Sequence, residues 1–326
     1  MAAQNVKKKK TVSASRYFGE YLLMLLGPAI MAGYYCGERA LLVMLVGILS
    51  ACAADLAGGL LFYNKLTLKD LCAVYTGAAI SLMMPSTVPL YIPAIACVFA
   101  ILAVKIPFGG ALRTPVVPAA AGFAFACVCF SQQIFTFPPS ATSASGQFVS
   151  GVSLAAMLRN SSSMNIDLIS AADILSGSVS GPMGTGCAIV LLGCAVFLII
   201  RRKPCVMNIL GFLVTCTVMA IIFPRVNTGI LSSVVLELCS GSLLFAAVFL
   251  VTDPSNSAKS PLDRLGYGIY CGILCMITRY FGVYEEGVCF AIILANCSWQ
   301  SVSNGILTLA TLVLSLKKPK RKGAAQ

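Results

Sequence analysis

The chain has 326 residues, 58% of them hydrophobic and only 10% charged, against about 25% charged in an ordinary soluble domain. That deficit excludes a soluble globular protein, which needs a charged surface, and points to an all-α integral membrane protein. The net charge of +12 does not signal a nucleic-acid partner, because the cations gather in two tails, at 7–10 and 317–322; they suit orientation in a membrane and a weak attraction to anionic lipid.

The opening residues are polar and basic and lead into one apolar segment after another, so 1–19 reads as a basic cytoplasmic tail and not as a cleavable signal. A span needs about 20 mostly apolar residues. Ten segments are read as spans: 21–35, 40–63, 71–84, 90–104, 116–130, 186–200, 207–223, 230–251, 267–281 and 288–314. Together they make a transmembrane domain over 20–314, followed by a second basic cytoplasmic tail at 315–326. Several spans are short and broken by glycine or proline. Such breaks survive in a membrane only where the freed backbone groups face protein or a cavity.

Charge tests the count. With both termini cytoplasmic, nineteen of the 23 Lys and Arg fall inside, and only Arg39, Arg159, Arg225 and Arg279 fall outside. That asymmetry is what the positive-inside rule expects of ten spans. Five spans precede the long connection 131–185 and five follow it, an arrangement compatible with two inverted five-helix halves. On this topology 131–185 is an extracytoplasmic loop, and connections of that length are usually functional or disordered.

Within this frame a few residues carry chemistry. Asp55 and Glu237 lie in apolar spans, where a carboxylate is costly; each is either an ion or proton path residue or a carboxyl held by a neighbouring helix. Asp253, in "TDP" at the cytoplasmic end of the eighth span, reads as a helix end, with a place near an ion or flavin path as the alternative that the family resemblance described below implies. Lys105 and Arg113 flank "PFGG" either as topology charges only or to hold a flavin or a partner subunit. Glu285 and Glu286 precede the tenth span and suit a helix N-terminus. Trp299, the single tryptophan, reads as structural. The 15 cysteines lack a CxxC pair and sit in apolar runs, so they read as packing residues, with no metal site expected. With no histidine in the chain, histidine-ligated haem and histidine acid–base chemistry are excluded.

The long loop ends in "SGSVSGPMGTG", residues 176–186. Gly177, Gly181 and Gly184 allow a close backbone approach. With Thr185, they either bring the start of the sixth span to a phosphate or allow tight helix packing.

Four stretches, in order, resemble the RnfD/NqrB family of membrane subunits from ion-translocating flavoprotein complexes. "KIPFGGALRTPVVPAAAGFAF" (105–125) resembles K-x-x-F-G-G-x-x-x-N-x-x-N-P-A-x-x-G-x-A-F. "GSVSGPMGTGC" (177–187) resembles G-x-x-x-G-x-x-G-E-T-S, "VTDPSNSAKSP" (251–261) the A-T-D-P-x-x-S-P loop, and "YEEGVCFAIILAN" (284–296) the start of the last span. RnfD is the nearer pattern, because NqrB's long N-terminal cytoplasmic segment has no match here. The departures are Val117 for the family's Asn, and Thr185-Gly186-Cys187 for Glu-Thr-Ser. The family's S-G-A-T, whose threonine carries FMN as a phosphoester, is not intact. "SGVSL" (150–154) puts Ser153 in the acceptor slot, 32 residues before Thr185 (185 − 153); "SAT" (140–142) offers Thr142 as a second candidate.

The resemblance implies a subunit of an Rnf-type ferredoxin:NAD oxidoreductase in a bacterial cell membrane. It would pass electrons through flavin, coupled to Na⁺ or H⁺ movement, beside other membrane and peripheral subunits. It implies covalent FMN and allows riboflavin. The alternatives are a divergent RnfD-like subunit of another flavin-linked electron-transfer system without its own covalent FMN, and a small-solute or vitamin transporter on the same scaffold.

Overall fold

Helices form at every one of the ten segments expected to be helical, and no strand occurs among the described residues. The computed structural model describes residues 14–63, 71–110, 112, 114–137, 153–159, 175, 177, 180–225, 229–254, 260–284 and 286–317. In chain order the first half holds α1 (Ala14–Cys36), α2 (Glu38–Gly58, running into a π-helical turn at Gly59–Tyr63) and α3 (Cys72–Leu82). It continues with α4 (Tyr91–Phe99, extended by a π-helical turn at Ala100–Lys105), α5 (Pro118–Cys129) and the short α6 (Ser131–Ile134). The short α7 (Leu154–Arg159) precedes the second half: α8 (Ala188–Arg201), α9 (Lys203–Ile222), α10 (Ile230–Cys239), α11 (Leu243–Phe245, continuing as a π-helical turn, Ala246–Leu250), α12 (Pro261–Phe281) and α13 (Val288–Lys317).

Local signals set several of these starts. Pro118 and Pro261 open α5 and α12, where a missing N–H costs nothing. Ser260 caps α12 by accepting the Asp263 amide at 3.1 Å.

Among the described residues, two helices are long and apolar enough to cross a membrane alone: Glu38–Phe62 and Cys205–Ile222, each with mean hydropathy 2.3. A third joins them if Ser232–Cys239 and Leu243–Leu250, bent by 67° at their junction, count as one broken span. α3 has only 11 residues, about 16 Å at 1.5 Å per residue, roughly half the hydrocarbon core. It is buried on nearly every side, as a helix apolar all round must be.

The packing is that of a membrane bundle. Along α2, Leu41, Leu42, Leu45 and Leu49 face outward, while Ala40, Val43, Gly47, Ala51 and Ala54 face in. Large apolar groups on the outside and small ones inside are the reverse of a water-facing protein. Backbones meet at glycine: a methyl on Gly77 would lie 2.7 Å from the Gly47 carbonyl oxygen, and one on Gly268 would lie 2.5 Å from that of Asn208. Trp299 has the structural place expected of it. Its indole donates to Asp263 at 3.0 Å and meets the Tyr267 ring edge-on, tying α13 to α12.

Candidate functional site

Two interrupted helices form the interior, and each break needs partners for the backbone groups it exposes. The first is the end of α3. Pro85 cannot continue the helix, and the glycine loop covers the freed carbonyls. The Gly184 amide donates to the Leu82 carbonyl at 2.7 Å, and the Met183 amide to the Met84 carbonyl at 3.1 Å. A methyl on Gly184 would lie 2.6 Å from the Leu82 Cβ, so only glycine allows this approach. Thr185 closes the turn with its hydroxyl and amide on the Pro182 carbonyl, both at 3.1 Å. Gly177 has φ +91 and lies against the Cys187 amide, whereas Gly181 has open space around it. The loop thus packs on a helix end through Met183 and Gly184, while Gly181 makes no close approach.

The second break lies between α10 and α11 and is held by charge. Gly241 turns the chain with φ +59. Arg279 of α12 donates to the Glu237 carbonyl at 3.0 Å and to the Ser240 carbonyl at 3.4 Å, and also to the Ser240 hydroxyl. A cation therefore sits at the C-terminal end of α10. At the start of α11, Glu286 accepts the Ser242 amide on both carboxylate oxygens, at 3.1 and 3.0 Å, and the Ser242 hydroxyl. Each charge complements the dipole end it touches. The Glu237 carboxylate lies 3.8 Å from both Arg279 and Arg225, so two arginines balance two glutamates around the break.

Beyond this break the π-helical turn releases carbonyls toward the bundle. Tyr75 donates to Phe249 O at 2.8 Å, Asn208 to Val251 O at 3.1 Å and Tyr21 to Thr252 O at 2.8 Å. Three helices far apart in sequence therefore hold one segment. Asp253 is buried at its end, within electrostatic reach of the Tyr21 and Tyr75 phenols.

Asp55 is fully buried and paired with Lys105 at 2.8 Å, with both side chains at most 2% exposed. Lys105 and Arg279, topology charges on the sequence alone, are therefore interior partners of the two intramembrane carboxylates. A lone cation closing an otherwise apolar helix is the signal that could have found them. Tyr21, Tyr75 and Asn208 give none, because isolated polar residues in apolar helices are common.

Ser153, expected from the sequence to offer an accessible hydroxyl, is only 2% exposed. Its Oγ accepts the Ala156 amide at 3.0 Å, as the cap of α7. Thr142, Arg113 and Glu285 lie outside the described residues. At the far end of α7, Arg159 and Arg225 line a cavity of about 590 Å³ with Phe223, Tyr280 and Phe281. Arg225 stacks over the Tyr280 ring at 4.3 Å, and among the described residues its buried Nη2 makes no hydrogen bond.

An apolar exterior, small residues at the crossings, two interrupted helices and paired charges in the interior define an integral membrane protein of the transport type. More specifically, the chain belongs to the NQR2, RnfD, RnfE family, whose model matches residues 2–304. It is 28% identical over 317 residues to the D subunit of the ion-translocating oxidoreductase complex of Shewanella amazonensis, covering 88% of this chain and 91% of that one. It is 27% identical over 286 residues to the D subunit of the Na⁺-translocating ferredoxin:NAD⁺ oxidoreductase complex of Acetobacterium woodii, covering 84% and 83%. The corresponding D subunit of Ectopseudomonas mendocina is 28% identical over 250 residues, covering 72% and 73%.

Proposed function

We propose that the chain is the membrane D subunit of an Rnf-type ion-translocating oxidoreductase, working in a bacterial cell membrane beside the other subunits of that complex. The observation that carries this is a family match over nearly the whole chain, joined to relatives that are all named as D subunits. The ten-span topology supports it. Segments assigned to the outer face touch one another: Arg39 donates to Ser86 O at 2.9 Å, Thr87 to Thr136 O at 2.8 Å and Tyr280 to Phe223 O at 3.2 Å. Segments assigned to the cytoplasmic face do the same, as Glu20 does with Arg202 at 2.7 Å.

For the flavin, the chemistry of the outer cavity fits an anionic aromatic group. Arg225 brings an unsatisfied buried donor, Arg159 a second cation and Tyr280 a ring face. FMN bound there supplies one- and two-electron redox chemistry. If flavin is held there without an ester, Arg159 and Arg225, the latter shared with Glu237, would hold the phosphate charge beside the Tyr280 ring. Ser153, one short helix away, remains the acceptor we favour over Thr142. Its burial means that the turn at Ser153–Ala156 opens before a transferase can reach Oγ. The same burial favours a second reading, a D-like protein holding flavin, whether FMN or riboflavin, without an ester.

The intramembrane carboxylates read differently from one another. Asp55 and Glu237 each have a buried cation beside them, which repels a passing cation, so both serve the scaffold. Asp253 is the ion-path residue we retain, for its buried place at the cytoplasmic end of the π-helical segment beside the Tyr21 and Tyr75 phenols.

The test is purification of the tagged chain from its native membranes in mild detergent. We expect partner subunits with flavin absorbance, and an intact mass raised by about 438 Da, the FMN ester less water. Ser153→Ala removes the added mass. An unmodified chain with the same partners establishes the second reading. A chain that purifies alone and moves a solute across liposomes overturns the assignment to an Rnf-type complex.

A further inference from the structure

The cytoplasmic end of the seam between α1 and α8 carries an unassigned basic cavity. Along this seam the helices touch closely: the Cys194 thiol lies 3.5 Å from the Met24 carbonyl, and a methyl on Gly27 would lie 3.0 Å from Val190. At its mouth, Arg16, Glu20, Arg201 and Arg202 surround about 370 Å³. Three guanidiniums face one carboxylate. Glu20 holds Arg202 at 2.7 Å and Arg201 at 3.9 Å. Arg202 is further fixed over the Tyr17 ring at 3.6 Å, with its side chain 11% exposed, while Arg201 remains 61% exposed. Among the described residues lining the cavity, two positive charges are left over at an open site.

Further along the same two helices the exposed side chains are apolar: Leu23 and Leu26 on α1, Val196 and Ile200 on α8. A phosphate at the arginines would thus sit at the end of helices that offer apolar surface to acyl chains. Basic pockets between transmembrane helices on the cytoplasmic side suit anionic head groups, and arginine's planar fork suits phosphate oxygens.

We propose that this cavity binds the head group of an anionic phospholipid, clamping the first span to the sixth. Arg16 and Arg201 provide the phosphate contacts. Arg202 is the pre-oriented base of the site, and Glu20 tunes it by cancelling part of the positive charge. The inference needs the bilayer placement proposed above but not the flavin.

The test uses the full chain purified in a neutral detergent, with phosphatidylglycerol, phosphatidylcholine and inorganic phosphate as probes. Lipid retention is read by native mass measurement and stabilisation by thermal melting. Phosphatidylglycerol is retained and raises the melting temperature; the other two do neither at equal concentration. Arg16→Gln with Arg201→Gln weakens the phosphatidylglycerol response roughly tenfold or more, with melting in phosphatidylcholine unchanged. Glu20→Gln, which removes the opposing charge and frees Arg202, strengthens the response. Equal effects of the two lipids, equal effect of inorganic phosphate, an unchanged response in the double variant, or a weaker one in Glu20→Gln each overturn the proposal.

Discussion

The two interrupted helices meet the same physical demand by opposite means. At the end of α3 the freed carbonyls are capped by main-chain amides of a glycine loop, with no charged group in the cap. Between α10 and α11 the cap is Arg279 on one side and Glu286 on the other. The neutral solution depends on distance: it works only because Gly184 has no side chain to keep the two segments apart. The ionic solution depends on balance: each buried charge must keep its counter-charge, because an uncompensated one is far costlier than the pair is favourable. The first break should therefore be sensitive to volume and the second to charge.

The largest expected effect follows from breaking the ionic cap. Arg279→Met removes one of the two arginines beside Glu237 together with the donor to the Glu237 and Ser240 carbonyls, and should destabilise the fold by about 3–5 kcal/mol, read by denaturant titration in mixed micelles. A result under about 1 kcal/mol would show that the charges do not hold the break. Lys105→Met should behave alike by stranding Asp55. In that case, adding Asp55→Leu should restore much of the loss, since an apolar pair can replace a buried ion pair. At the neutral cap, Gly184→Ala should cost about 1–3 kcal/mol by overpacking against Leu82. Gly181→Ala, three residues away in open space, should stay within about 0.5 kcal/mol. Equal effects at the two glycines would remove the distance argument. Tyr75→Phe, which deletes one hydrogen bond to the π-helical turn, should fall between the two glycines at about 0.5–1.5 kcal/mol.

Much of this architecture is legible in the sequence, because apolar runs and the cation bias are local signals. Every segment read as a span contains helix, but 230–251 is broken and bent by 67°, and the helices at Ala14–Cys36 and Pro261–Phe281 begin well before the residues read for them. What stays hidden is pairing across the bundle. A helix N-terminus is the place the sequence suggests for Glu286, which is the right physics applied to the wrong helix: its carboxylate serves α11, 44 residues earlier, as well as preceding α13. Arg279 counts in the sequence only by its side of the membrane and Lys105 chiefly so; a lone cation closing an apolar helix hints at an inward turn but does not name the carboxylate it meets. The glycine loop declares a close approach without naming its target, since Leu82 lies about a hundred residues upstream. Ser153 stands out by its spacing from Thr185, and spacing carries no information about burial.

The most direct test of the account is coupled electron and ion transfer in inverted vesicles from native membranes. Deleting the chain should abolish ferredoxin-driven NAD⁺ reduction and the cation gradient that accompanies it, and the wild-type chain should restore both. If reduction and gradient formation continue unchanged without it, the chain is not the membrane subunit of an ion-translocating oxidoreductase.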